Sequence, residues 1–235
     1  MDMSASNKTN VEKWADLHQK SSTISIRTTP NYAVKQILDL KPKRKLDNIL
    51  EVGCGFGRNL AFLIKNDYSK NYYGIDLTKT SVNKCIDTLA DLNAKTDIRV
   101  GNAGKFLDFP NNFFSSVFDI MSAITFISDI SERKKYFSEI ARVLEPEGHY
   151  YFLCPRKNGK FHDIFENQDL LEKGYIKRKL DGMLEKVYTK DELTQSFPNF
   201  DYLKLEVVSE HTRAFGDEKF IREDGFWFGD FKKRK

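Results

Sequence analysis

The chain has 235 residues, 40% of them hydrophobic and 31% charged, enough for one generous domain or two small ones with a buried core, which excludes wholesale disorder. Its 38 basic residues against 34 acidic ones leave a net charge of +4, too weak to point to nucleic acid by itself, and no apolar run approaches the ~18 residues of a membrane span. The first residues, MDMSASNKTNVEKW, hold no apolar segment of a secretory signal, and the three cysteines (Cys54, Cys85, Cys154) are far apart without CxxC spacing, which argues against a disulfide framework or a zinc site and for a soluble protein of the reducing cytoplasm.

Residues 1–30 are polar, with Trp14, Leu17, Ile24 and Ile26 as the main apolar anchors, and read as an arm that docks on a domain spanning residues 31–235. From Asn31 to Leu40 apolar residues recur at helical spacing until Pro42, and the basic stretch Lys41 to Lys45 reads as a solvated connector. A regular rhythm follows. Strands are expected at Asn48–Val52, Asn71–Ile75, Asp97–Val100, Val117–Met121 and His149–Leu153, with helices around Leu60–Ile64, Thr78–Leu92 and Glu132–Leu144, the last stopped by Pro146 and Gly148. This alternation predicts an α/β fold, a doubly wound and mostly parallel sheet with helices on both faces. Residues 156–187 are mixed and charged, a lid-like insertion after the fifth strand. Thr189 and Glu192 carry the spacing of a capping box, and Tyr202–Val208 and Phe226–Phe231 read as a closing antiparallel pair.

The stretch Glu51-Val52-Gly53-Cys54-Gly55-Phe56-Gly57 lies at the carboxyl end of the first strand, where such sheets bind ligands. A dinucleotide fingerprint would run GxGxxG; here the glycines run GxGxG, and Arg58 takes the place of the third dinucleotide glycine. Glu51 is misplaced beside a pyrophosphate but suits a cationic ligand such as S-adenosylmethionine, which carries a sulfonium and an ammonium and no phosphate. The competing reading is a tight strand-to-helix turn with no ligand. Asp76 follows the second strand, where a carboxylate can accept both ribose hydroxyl hydrogens or cap the next helix. Asn102, after the third strand, suits either an adenine contact or a turn.

Taken together, ILEVGCGFGRNL, YYGIDLT, VGNAGKF, SSVFDIMSAITFI and EIARVLEPEGHYYF resemble the class I S-adenosylmethionine-dependent methyltransferases over residues 49–153. Two departures are a glutamate, Glu147, at the first glycine of the turn before the fifth strand, and Asn102 where the family more often has Asp. The resemblance implies seven strands in the order 3-2-1-4-5-7-6 with the last antiparallel. It also implies a cofactor pocket: Gly53, Cys54 and Gly55 along the methionine part, Glu51 at its ammonium, Arg58 and Asn59 at its carboxylate, Asp76 and Leu77 at ribose and adenine, Asn102 and Ala103 at the adenine edge, Ser122 and Ala123 at the methionine end. Arg58 reads equally as an exposed first-turn residue. No metal is expected.

Methyl transfer from a positive sulfur asks the protein mainly for placement. Thr125-Phe126-Ile127-Ser128 stands where many relatives carry a histidine, so an inherited base is absent. Among the four histidines, His149 reads as structural, His211 trails the sixth strand, His18 lies in the arm, and His162 is the candidate general base, with a loop or substrate-contact role competing. The basic clusters at Lys41–Lys45 and Phe231–Lys235 flank a nearly balanced chain, and no RNA-binding module is readable. An oxygen or nitrogen of a small molecule is therefore the expected acceptor, with RNA or protein as rival substrates and a catalytically silent partner subunit as the non-enzymatic alternative. Glu51 and Arg58 argue against an oxidoreductase. Oligomeric state has no signature.

Overall fold

The computed structural model describes residues 9–20, 28–40, 46–159, 168–178, 181–210 and 222–235. In chain order the elements are α1 (Asn10–Lys20), α2 (Tyr32–Asp39), β1 (Leu46–Val52), α3 (Arg58–Lys65), β2 (Ser69–Asp76), α4 (Lys79–Leu89), β3 (Lys95–Val100), β4 (Phe114–Ile120), α5 (Ala123–Phe126), α6 (Ile130–Val143), β5 (Leu144–Pro155), α7 (Gln168–Glu172), β6 (Tyr175–Lys177), β7 (Leu184–Lys186), α8 (Lys190–Ser196), β8 (Phe200–Glu210) and β9 (Arg222–Lys233).

Seven strands form one sheet in the order β3-β2-β1-β4-β5-β9-β8, and β6 and β7 pair separately as a hairpin. The first five strands run parallel, while β9 is antiparallel to both β5 and β8. With the hairpin set aside, this is the expected order, closed by an antiparallel last strand. Central β4 is buried along its whole length, as a strand covered on both faces must be. Side-chain alternation divides the core in two. Leu50, Val117, Tyr150 and Phe152 face α6 and α8, and Ile49, Phe118, Tyr151 and Phe228 face α2 and α3.

Local chemistry sets the helix starts. Asn31 caps α2 by accepting from Ala33 N, Thr78 caps α4 by accepting from Ser81 N, and Asp129 caps α6 by accepting from Glu132 N. Thr189 and Glu192 form the reciprocal capping box their spacing predicts at α8.

The helix expected to run to Leu144 ends at Val143, and β5 begins at once, with Pro146 and Gly148 inside a register shift against β4. A Cβ at Gly148 would sit 2.8 Å from the Glu145 carbonyl and 3.1 Å from that of Phe114, which explains the glycine. Glu147, at the departure noted above, is held at a positive φ of 66°. Arg142 at the end of α6 donates to the carbonyls of Leu107 and Phe109, fastening the loop before β4 to the helix. The polar arm contains a helix, α1, and the insertion contains α7 and the β6–β7 hairpin, none of which the sequence pattern predicts.

Candidate functional site

Every parallel strand of the sheet ends at one edge, and the glycine loop opens it. Past Val52 the backbone turns through Gly53, whose N–H, with that of Cys54, donates to the Ile75 carbonyl and so ties the loop to β2. Gly53 has a φ of +68°, and a Cβ there would lie 1.5 Å from Ser122 Oγ, so loop and β4–α5 turn meet over a bare backbone. Gly55, at φ +54°, faces open space: a Cβ there would meet nothing within 4 Å.

Two buried carboxylates stand at the ends of the strands around this loop. Asp76 is buried at the end of β2; its Oδ2 accepts from Gly55 N at 3.0 Å and its Oδ1 from Thr78 N at 3.1 Å. Thr78, not Asp76, is the cap of α4. Glu51 is 3% exposed at the end of β1. Its Oε1 accepts from Asn59 Nδ2 at 2.7 Å, while its buried Oε2 has no hydrogen-bond partner. Burial pushes its carboxyl up from 4.5 to about 8, with the Asp76 charge acting the same way and the Asn59 bond, the Arg58 charge and the Leu60 backbone N–H opposing it. Asn59 Oδ1 accepts the backbone N–H of Asn31, so the Asn59 amide is set between Glu51 and the start of α2 and orients the Glu51 carboxyl. Arg58 is half-buried and donates to the Thr29 carbonyl at 3.2 Å. Leu77 follows Asp76 directly. Asn102 Oδ1 accepts from Gly104 N at 3.0 Å, the local turn that was its competing reading, and Ala103 packs beside the core.

Ser122 and Ala123 close the site from β4. Their position depends on Asp119, a fully buried carboxylate that sequence reasoning passed over. It accepts from Ser122 N, Ile124 N, Tyr136 Oη and Tyr150 Oη, at 3.2, 2.7, 2.6 and 3.2 Å. Burial raises its carboxyl to about 6, and those donors oppose the shift. An acidic residue inside the otherwise apolar run VFDIM was the available signal. Met121 in the same turn has a φ of 55°, a left-handed conformation rare for a side chain of this kind.

Above this edge lies α1. Trp14 packs edge-on against Phe126 of α5, at 5.0 Å between ring centroids, and His18 against Phe56 of the glycine loop, at 5.4 Å. His18 is 3% exposed, its Nδ1 2.8 Å from Thr78 Oγ1 and 2.7 Å from Ser81 Oγ. Burial pushes its imidazole below the ordinary value, with Asp76 pulling the other way. The insertion meets the same helix. Asn10 donates to the carbonyls of Phe126 and Leu184 and accepts from Leu184 N, Lys13 donates to the Gly182 carbonyl, and the Arg178 guanidinium lies over Trp14 and Phe126.

Of the other histidines, His162 and His211 lie outside the described residues, as do the arm residues Ile24 and Ile26 and the connector Lys41–Lys45. His149 lies inside β5 and bonds Asp230 at 2.7 Å. No group of side chains with metal-ligand geometry occurs among the described residues, and no described helix is long and apolar enough to cross a membrane.

A family model described as a methyltransferase domain matches residues 49–148. The chain is 27% identical over 127 residues to phosphoethanolamine N-methyltransferase 3 of Arabidopsis thaliana, covering 54% of this chain and 24% of that protein. It is 31% identical over 121 residues to the fatty-acid O-methyltransferase of Mycolicibacterium smegmatis, covering 50% and 39%. The matches thus span well under half the length of these relatives. In three dimensions the chain is similar to an S-adenosylmethionine-dependent methyltransferase of Clostridium acetobutylicum, with a TM-score of 0.63 at 14% identity over 95% of this chain and 99% of that one.

Proposed function

We propose, from the chain's membership of the class I S-adenosylmethionine-dependent methyltransferases, that it transfers a methyl group to an oxygen or nitrogen of a small-molecule acceptor. The observation that carries the reading is the unpartnered Oε2 of Glu51, buried at the end of the strand that leads into the glycine loop. A buried carboxylate oxygen with no donor is costly unless a ligand supplies one, and an ammonium does. The residues present therefore fit S-adenosylmethionine, which when bound supplies a methyl group on a positive sulfur.

The roles assigned to the chain are these. Glu51 would hold the ammonium, oriented by Asn59, whose amide serves Glu51 and so bears on the cofactor indirectly. Gly53, Cys54 and Gly55 would line the methionine part and Arg58 would meet its carboxylate. Asp76, fixed through Gly55 N and Thr78 N, keeps further lone pairs for the ribose hydroxyls, with Leu77 against adenine and Asn102 and Ala103 at its edge. Ser122 and Ala123, placed by Asp119, would border the reacting end. The arm and the insertion would act as a lid that excludes water and fixes the acceptor in line, and His162 remains the candidate base. The small-molecule substrates named for the two relatives support the acceptor class.

Labelled S-adenosylmethionine offered with pooled small metabolites, bulk tRNA and protein tests the reading. Label is expected in the small-molecule fraction; transfer to RNA with affinity falling steeply as salt rises would replace it with the polymer reading. By calorimetry S-adenosylhomocysteine should bind and NAD should not. Asp76→Ala should weaken that binding by about 1.5–3 kcal/mol, the worth of hydrogen bonds to a charged group. Tight NAD binding with no response to S-adenosylhomocysteine would overturn the assignment.

A further inference from the structure

Asp76 is gripped from two sides, by Gly55 N of the glycine loop and by Thr78 N of the β2–α4 turn. A side chain from outside the sheet domain touches both grips. The His18 ring packs on Phe56, the residue between Gly55 and Gly57, and its Nδ1 meets the hydroxyls of Thr78 and Ser81. Thr78 Oγ1 already accepts the Ser81 N–H, so its own hydrogen is available to the imidazole, whose charged form burial disfavours. Trp14 and Leu17 lie on the same helical face as His18, and the Trp14 ring is 5.2 Å from that of His18.

We propose that His18 is a positioning residue that couples docking of the arm to cofactor binding, bracing the two backbone segments that hold the Asp76 carboxylate. The inference rests on the cofactor reading of Asp76 given above. It follows that docking and cofactor binding reinforce each other by the same factor, since coupling between two equilibria is reciprocal. The His18 side chain acts through Thr78, Ser81 and Phe56 and transfers no proton.

The test uses the full-length protein with S-adenosylhomocysteine as the probe. His18→Phe retains a ring that packs between Trp14 and Phe56 but cannot meet the two hydroxyls. His18→Asn returns a polar atom near the position of Nδ1. The expected result is a dissociation constant weakened about five- to twentyfold for His18→Phe and recovery to within about threefold of wild type for His18→Asn. Since the chain has two tryptophans, a Trp227→Phe background leaves Trp14 as the reporter of the arm. In that background its emission should respond to S-adenosylhomocysteine when His18 is intact and in His18→Asn, and lose that response in His18→Phe. Wild-type affinity and a wild-type Trp14 response in His18→Phe would overturn the coupling while leaving the cofactor reading intact. Failure of the wild-type protein to bind S-adenosylhomocysteine would overturn the cofactor reading, and this inference with it.

Discussion

Glu51 shows how a single buried atom carries functional information. With its carboxyl raised from 4.5 to about 8, the folded chain binds more protons at this group than the unfolded chain does across that interval. The sign follows: the contribution of Glu51 to stability is fullest below pH 4.5 and is lost as pH rises toward 8. A ligand ammonium at Oε2 reverses the preference, because an adjacent cation favours the charged carboxylate. Binding of S-adenosylhomocysteine at pH 7 should therefore release about one proton, measured as the dependence of calorimetric enthalpy on buffer ionisation heat. Glu51→Gln should bind without that release. An unchanged proton count in the variant would remove Glu51 from the ammonium site.

At the scale of elements, the site depends on two turns that touch without side-chain clearance, and Gly53 tests this. Alanine there incurs about 1–2 kcal/mol for its left-handed φ, and its Cβ meets Ser122 Oγ as well. Gly53→Ala should lower the urea midpoint, and adding Ser122→Gly should recover only the steric part. An additive double variant would show that the two turns do not contact. The elements also show what the sequence made legible. The five parallel strands and the closing pair were readable because each is a short apolar run bounded by turn residues. Asp76 and the glycine loop were readable because a spacing placed both at one sheet edge, and the Gly55–Asp76 bond joins them. Helix α1 was not, because its apolar residues are few and its docked face contains Asn10 and His18 beside Trp14 and Leu17. The β6–β7 hairpin has three-residue strands, too short for alternation to register. Asp119 was hidden because its partners, Tyr136 and Tyr150, come from elements distant in sequence.

Over the whole molecule, α1 joins two regions that the sheet keeps apart. At its carboxyl-terminal half His18 meets the turns around Asp76, and at its amino-terminal end Asn10 pairs with the backbone of Leu184 and reaches the Phe126 carbonyl. One end thus lies beside Asp76 and the glycine loop and the other beside the insertion, which follows β5 at the same edge. If closing this clasp is what shields the acceptor, the two ends should separate by substitution. Asn10→Ala removes three hydrogen bonds, two with the backbone of Leu184 and one with that of Phe126, a loss of about 1–3 kcal/mol. It should speed hydrogen exchange across residues 175–186 and raise the KM of whichever acceptor the labelled screen identifies, while S-adenosylhomocysteine affinity falls by less than in His18→Phe, because the His18 contacts that carry the coupling are intact. His18→Phe should do the opposite, weakening cofactor affinity with the hairpin still protected. Deletion of residues 1–26 removes both ends, so its affinity should match that of His18→Phe and its turnover should fall below that of either variant. Normal turnover in the truncated chain would leave α1 with a packing role alone, because a helix that closes an acceptor site cannot be dispensable to the reaction there.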